Sequence, residues 1–136
     1  MKAIVTGGAG FIGSHMVDLL VKEKFEVLVI DNLINGRVEN INKSSNVKFL
    51  KADISDYSVS FDEYFEDADY VFHFAAMADI VPSINNPLLY HKANVDGTIN
   101  ILEAAKKSKN LKKFVYAASS SCYGIPDTYP TLENSP

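Results

Sequence analysis

The chain of 136 residues holds a single cysteine, Cys122, so no internal disulfide can form. That excludes a disulfide-stapled secreted scaffold and fits a reducing compartment. Positive charge is also scarce, with 13 Lys+Arg against 17 Asp+Glu and a net charge of -4. Broad capture of nucleic acid needs a basic surface that releases counterions, so no nucleic-acid partner is expected. No apolar run approaches the roughly 20 residues of a membrane-spanning helix. The first apolar stretch, Ala3 to Ile12, is interrupted by glycines and followed by no small-residue cleavage site, so it does not read as a signal peptide. Repeats and linkers are missing too. His15, His73, His91 and Cys122 lack metal-ligand spacing, and Gly-x-Ser-x-Gly is absent, which sets aside metal and hydrolase chemistry. What remains is a cytoplasmic chain of one domain, whose 47% apolar residues suffice for a core.

Two hydrophobic textures alternate along it. Short continuous apolar runs at Ala3–Val5, Val27–Ile30, Val47–Leu50, Tyr70–Phe74 and Phe114–Ala118 have strand length. Continuous apolarity implies strands covered on both faces, as in a parallel sheet between helices. Phe11, Ile12, Met16, Leu19 and Leu20 recur at helical spacing and predict a helix from about Gly10 to Lys24. A second long helix is predicted over Asn86 to Lys109, its closing lysines suited to a helix C-terminus. Asp31 to Asn46 is rich in asparagine and reads as a loop with a helical fragment at Val38–Ile41. Asp62 to Phe65 predicts another short helix. The pattern is that of an α/β Rossmann-type doubly wound parallel sheet with helices on both faces.

The first strand runs into Thr6-Gly7-Gly8-Ala9-Gly10-Phe11-Ile12-Gly13, which opens the first helix. In a Gly7-x-x-Gly10-x-x-Gly13 spacing, the first glycine permits the tight turn and the second lets backbone N–H groups approach a pyrophosphate. The third allows close packing of helix on sheet. A helix N-terminus also favours negative charge, so the loop with Phe11 and Ile12 is a dinucleotide-binding candidate. Asp31 ends the second strand, where a carboxylate accepts hydrogen bonds from the ribose hydroxyls and repels a 2′-phosphate. NAD is therefore favoured over NADP, although Arg37 leaves a phosphate partner within reach. A plain turn aspartate is the alternative at Asp31.

Six ordered segments carry a family resemblance. They are the glycine loop, Asp31-Asn32-Leu33, Asp53-Ile54, His73-Phe74-Ala75-Ala76, Asn94-Val95-Asp96-Gly97-Thr98 and Ser119-Ser120-Ser121-Cys122-Tyr123-Gly124. Together they resemble the extended short-chain dehydrogenase/reductase family, in particular its nucleotide-sugar epimerases and dehydratases of the UDP-glucose 4-epimerase kind, over the entire chain. The resemblance implies NAD as cofactor and a UDP-sugar as substrate. It implies that Asn32 lies with Asp31 at the cofactor, that Asp53 and Ile54 hold the adenine, and that Phe74, Ala75 and Ala76 let the nicotinamide half lie against backbone. Asn94 would contact the cofactor through its amide, or else make a core hydrogen bond to backbone. Ser119 would bind the reacting sugar oxygen, or else satisfy backbone groups at a strand end. Ser83 matches a substrate-contacting position, and the 86–109 helix matches one through which relatives form homodimers. Met77-Ala78-Asp79 departs from relatives that carry a lysine there.

The family's Tyr-x-x-x-Lys pair shares a helix face, where the ammonium lowers the tyrosine pKa. None of the seven tyrosines here has a lysine four residues later. The sequence also stops in a proline-rich loop after Gly124. The expectation is a partial NAD-binding domain over 1–136, with the general base and a C-terminal substrate domain lying beyond it. This chain alone would bind cofactor and lack turnover. Its parent would be a nucleotide-sugar 4-epimerase first and a 4,6-dehydratase second, with a noncatalytic NAD-binding module as the third reading.

Overall fold

The five apolar runs become five parallel strands of one sheet in the computed structural model, which describes residues 1–126 and 129–135. Asp127, Thr128 and Pro136, read above as part of the terminal loop, lie outside the described residues. The strands are β1 (Lys2–Thr6), β2 (Glu26–Asp31), β3 (Val47–Lys51), β4 (Tyr70–His73) and β5 (Lys113–Tyr116), in the order β3-β2-β1-β4-β5. The chain therefore winds outward from β1 in one direction and then in the other, and the reversal leaves a crevice beyond the strands' C-terminal ends.

Strand side chains alternate between two faces, and each face has its own core. Ala3, Val5, Val27 and Val29 pack with Val17 and Leu20 of α1 (Phe11–Lys22). Ile4, Leu28, Ile30 and Val71 pack with Phe61, with Phe65 of α2 (Asp62–Phe65), and with Ile101, Ala104 and Ala105 of a later helix. Three layers result, and continuous apolarity in β1 and β2 is explained by burial on both sides. At the sheet's margins the expectation fails. Each edge strand pairs with one neighbour only, and β3 and β5 remain partly exposed.

Helix α1 spans nearly the predicted range, but its buried face is Gly13, Ser14, Val17 and Leu20. Phe11, Ile12 and Leu19 are exposed, because the small residues Gly13 and Ser14 turn toward the sheet and allow close approach. The predicted helix over 86–109 runs without a break from Pro87 to Ala105, as α4 (Pro87–His91), a π-helical turn at Lys92–Asp96 and α5 (Gly97–Ala105), and is preceded by an unforeseen α3 (Ile80–Asn85). The closing lysines lie past the end of α5. Lys107 pairs with Asp62 and Lys109 with Glu66, so these lysines tie the chain to α2 and its C-cap. Among the described residues no helix is long and apolar enough to cross a membrane.

Candidate functional site

The crevice at the strands' C-terminal ends gathers Gly7 and Gly10 after β1, Asp31 at the end of β2 with Asn32 after it, Asp53 and Ile54 after β3, and Phe74, Ala75 and Ala76 after β4. Sequence positions spread over 70 residues thus share one cleft because each ends a parallel strand.

Hydrogen bonds pin the glycine loop to its neighbours. Ala9 donates its N–H to Asp31 Oδ2 at 3.0 Å, and its carbonyl accepts from Arg37 N–H at 3.0 Å and Asn40 Nδ2 at 2.9 Å. Its glycines serve different ends. Gly7 has φ +68°, and a Cβ there would lie 2.7 Å from Ala75 N. At Gly13 a Cβ would lie 2.2 Å from Gly7 O, so both glycines are required by the protein's own packing. Gly10 is different. A Cβ would meet only Gly7 O, at 3.2 Å, in a backbone conformation open to any residue. The space beside Gly10 opens on the cleft, at the start of a helix with no side-chain cap and no acidic residue in its first turn. The first-turn N–H groups of Phe11, Ile12 and Gly13 are therefore left for an external acceptor, and a pyrophosphate fits that cradle. The side chains of Phe11 and Ile12 point away, with Phe11 edge-on to His15.

Asp31 is buried, and its Oδ1 also accepts Leu33 N–H at 2.8 Å. Each carboxylate oxygen keeps a free lone pair for a ribose hydroxyl. Asp53 accepts Ser55 N–H at 2.9 Å and Ser55 Oγ at 2.6 Å on the same oxygen, Oδ1. Partial burial pulls the Asp53 pKa upward, but Ser55, the Asn32 amide and the Lys92 ammonium together hold it below the usual carboxylate range. An ionised acceptor therefore sits beside Ile54, whose carbonyl is held by Asn100 Nδ2 at 2.9 Å. Asn32 accepts Ile34 N–H at 3.0 Å.

Other candidates stand outside this cleft. The Asn94 amide grips the main chain of Met77, accepting its N–H at 2.8 Å and donating to its carbonyl at 2.9 Å. Ser83 Oγ donates to Ile80 O at 2.6 Å within α3. Ser119 is exposed and caps a short 3₁₀ turn at Ser120–Tyr123, accepting Ser121 N–H at 3.2 Å and donating to Ser121 Oγ at 2.9 Å. Sequence reasoning did not assign to the cleft Leu89, Lys92 and Ala93 of the long helix, nor Ile34, Asn35, Gly36, Ala52 and Ser55 of the loops. Lys92 and Ala93 arrive there through the π-helical turn, which helical periodicity does not reveal.

Burial pushes the His73 imidazole down to about 4. In the unfolded chain it would take a proton near 6.5, so folding loses stability as pH falls from about 6.5 toward 4. Thermal melts at pH 7.5, 6 and 5 should show a declining Tm that His73→Gln flattens. The lowered pKa values of Asp53, Asp56, Asp67 and Asp69 act only at lower pH, below their usual 3.8.

A family model described as GDP-mannose 4,6 dehydratase matches residues 4–136. A putative UDP-glucose 4-epimerase of Methanocaldococcus jannaschii is 42% identical over 134 residues, covering 98% of this chain and 43% of that protein. The UDP-glucose 4-epimerase of Lactobacillus helveticus is 42% identical over 137 residues, covering 100% of this chain and 41% of that one. The chain thus spans less than half the length of these relatives. Among solved structures, the Thermotoga maritima UDP-glucose 4-epimerase with UDP-glucose superposes with a TM-score of 0.89 at 38% identity, covering 99% of this chain and 44% of that chain. The Thermus thermophilus UDP-glucose 4-epimerase in complex with NAD gives 0.86 at 37% identity, covering 100% and 44%.

Proposed function

The chain belongs to the NAD-dependent epimerase/dehydratase family of extended short-chain dehydrogenases/reductases, and from that premise we propose that it is the NAD-binding part of a nucleotide-sugar 4-epimerase acting on a UDP-sugar. The observation that carries the reading is the bond from Ala9 N–H to Asp31, which locks a ribose-binding acid to a phosphate-binding loop. When bound, NAD supplies a reversible hydride acceptor. The first-turn amides of α1 receive the pyrophosphate, Asp31 accepts from the ribose, and Asp53 with Ile54 frames the adenine. Ala75 and Ala76 leave backbone bare for the nicotinamide half. Ser119 binds the reacting sugar oxygen, and Ser83 lies toward the substrate.

A second part of the protein supplies the Tyr-x-x-x-Lys pair and the sugar-nucleotide domain. Support comes from the 43% share of the first relative that this chain covers. The reading includes a cytoplasmic setting and a homodimer through the 86–109 region, whose Leu88, Ile99 and Leu102 are exposed. A 4,6-dehydratase is the second reading, favoured by the description of the matching family model.

Calorimetry with NAD and NADP tests cofactor binding, and UDP-glucose and UDP-N-acetylglucosamine test turnover of the full-length protein. Sugar inverted at C4 supports the epimerase, a 4-keto-6-deoxy product the dehydratase, and no NAD binding refutes both. Ser119→Ala should lower kcat about tenfold while leaving NAD affinity unchanged, since one hydrogen bond to the reacting oxygen is lost. Unchanged kcat would remove Ser119 from the site.

A further inference from the structure

One buried titratable side chain has no part in the proposed chemistry. His73 is 1% exposed and stacks on Tyr116, with ring centroids 5.8 Å apart and planes at 18°. Its Nδ1 lies 2.8 Å from Thr6 Oγ1 and its Nε2 lies 3.0 Å from Thr98 Oγ1. The neighbours decide the tautomer. Thr98 spends its hydroxyl hydrogen on Asn94 O, at 2.7 Å, and so faces Nε2 as an acceptor. Nε2 must then carry the hydrogen, and Nδ1 accepts from the Thr6 hydroxyl. The Thr6 oxygen in turn accepts Ala75 N–H at 3.2 Å.

Every link points the same way, from Ala75 N–H through Thr6, His73 and Thr98 to the Asn94 carbonyl. Such a chain strengthens cooperatively in a low-dielectric interior. The circuit then closes, because the Asn94 side chain grips Met77 through both its N–H and its carbonyl. Ala75 and Met77, both lining the cleft, are thus held from opposite ends by one ring of hydrogen bonds.

We propose that His73 is a positioning residue: held as the neutral Nε2–H tautomer, it orients a one-way hydrogen-bond ring that fixes residues 75–77 against the cleft. Among the described residues no carboxylate touches the ring nitrogens, and a proton on Nδ1 would displace the Thr6 hydroxyl hydrogen, leaving that hydrogen without an acceptor. Burial, which lowers the His73 pKa, works in the same direction. That the fixed segment serves a dinucleotide rests on the proposed function. The tautomer and the ring do not.

The test uses the full-length protein labelled with ¹⁵N-histidine. Two-bond ¹⁵N–¹H correlation at pH 7 should show a protonated Nε2 and a bare Nδ1 for His73; an Nδ1–H tautomer or an imidazolium overturns the proposal. Amide hydrogen exchange at Ala75 and Met77 should be slow, accelerate at least tenfold in Thr98→Val, and recover in Thr98→Ser. NAD affinity should fall about tenfold in Thr98→Val and return within twofold in Thr98→Ser. Equal exchange in wild type and Thr98→Val refutes the ring, even in a protein that binds no NAD. Faster exchange with unchanged NAD affinity refutes positioning of the dinucleotide segment.

Discussion

Gly13→Ala is expected to destabilise the fold by about 3 kcal/mol, while Gly10→Ala costs about 1 kcal/mol or less and instead abolishes tight dinucleotide binding. At Gly13 the new methyl would fall 2.2 Å from Gly7 O, 2.8 Å from Gly7 C and 2.8 Å from Gly8 Cα. All are backbone atoms of the loop that joins β1 to α1, so no side chain can rotate away. Relief requires moving α1 off the sheet, where Val17 and Leu20 sit in the core. At Gly10 the one neighbour is Gly7 O at 3.2 Å, which a shift of a few tenths of an ångström accommodates. The methyl would then occupy the cradle where a pyrophosphate must reach the amides of the first turn. Urea denaturation of both variants, with NAD calorimetry on the folded one, separates the two effects. Comparable stability loss at the two positions would mean that the Gly10 space belongs to the protein and not to a ligand.

Asp31→Ala should weaken NAD binding about a hundredfold and narrow the preference over NADP, since two hydrogen bonds from ribose hydroxyls to a charged acceptor are lost together with the repulsion of a 2′-phosphate. The structure adds a cost that the sequence did not suggest. Asp31 also accepts the N–H groups of Ala9 and Leu33, and both would lose their partner. A stability loss of about 2 kcal/mol should accompany the affinity loss. Asp31→Asn separates the contributions only in part, because an amide oxygen can serve one backbone N–H while its NH₂ faces the other. Calorimetry with both cofactors, set against urea midpoints, measures the two losses side by side. Unchanged affinity for NAD and NADP would reject the ribose role.

Much of this arrangement is legible in the amino-acid sequence. Strand-length apolar runs locate all five strands, and a residue ending a parallel strand must lie at the crevice, which is why Asp31, Asp53 and Ala75 share it. Local pattern could not reveal how distant segments meet. Lys107 and Lys109 read as a helix terminus because sequence shows neighbours only, whereas their carboxylates lie 45 and 43 positions away. Phe11 and Ile12 match helical spacing yet stay in water, since periodicity records which residues are apolar and not that Gly13 and Ser14 form the closer contact. Lys92 enters the cleft through a π-helical turn of unremarkable composition. Asn94 is a poor helix former inside a helix, and its structural partner, the Met77 main chain, is one that no spacing rule identifies.

The start of α1 carries no side-chain cap, and its first-turn N–H groups find no partner within the helix. On the proposed function, a diphosphate docking there would complete the secondary structure as it is recognised, so occupancy and conformational stability would draw on the same free energy. Ligand affinity is then written directly into the melting curve, and damage to that one turn registers in both.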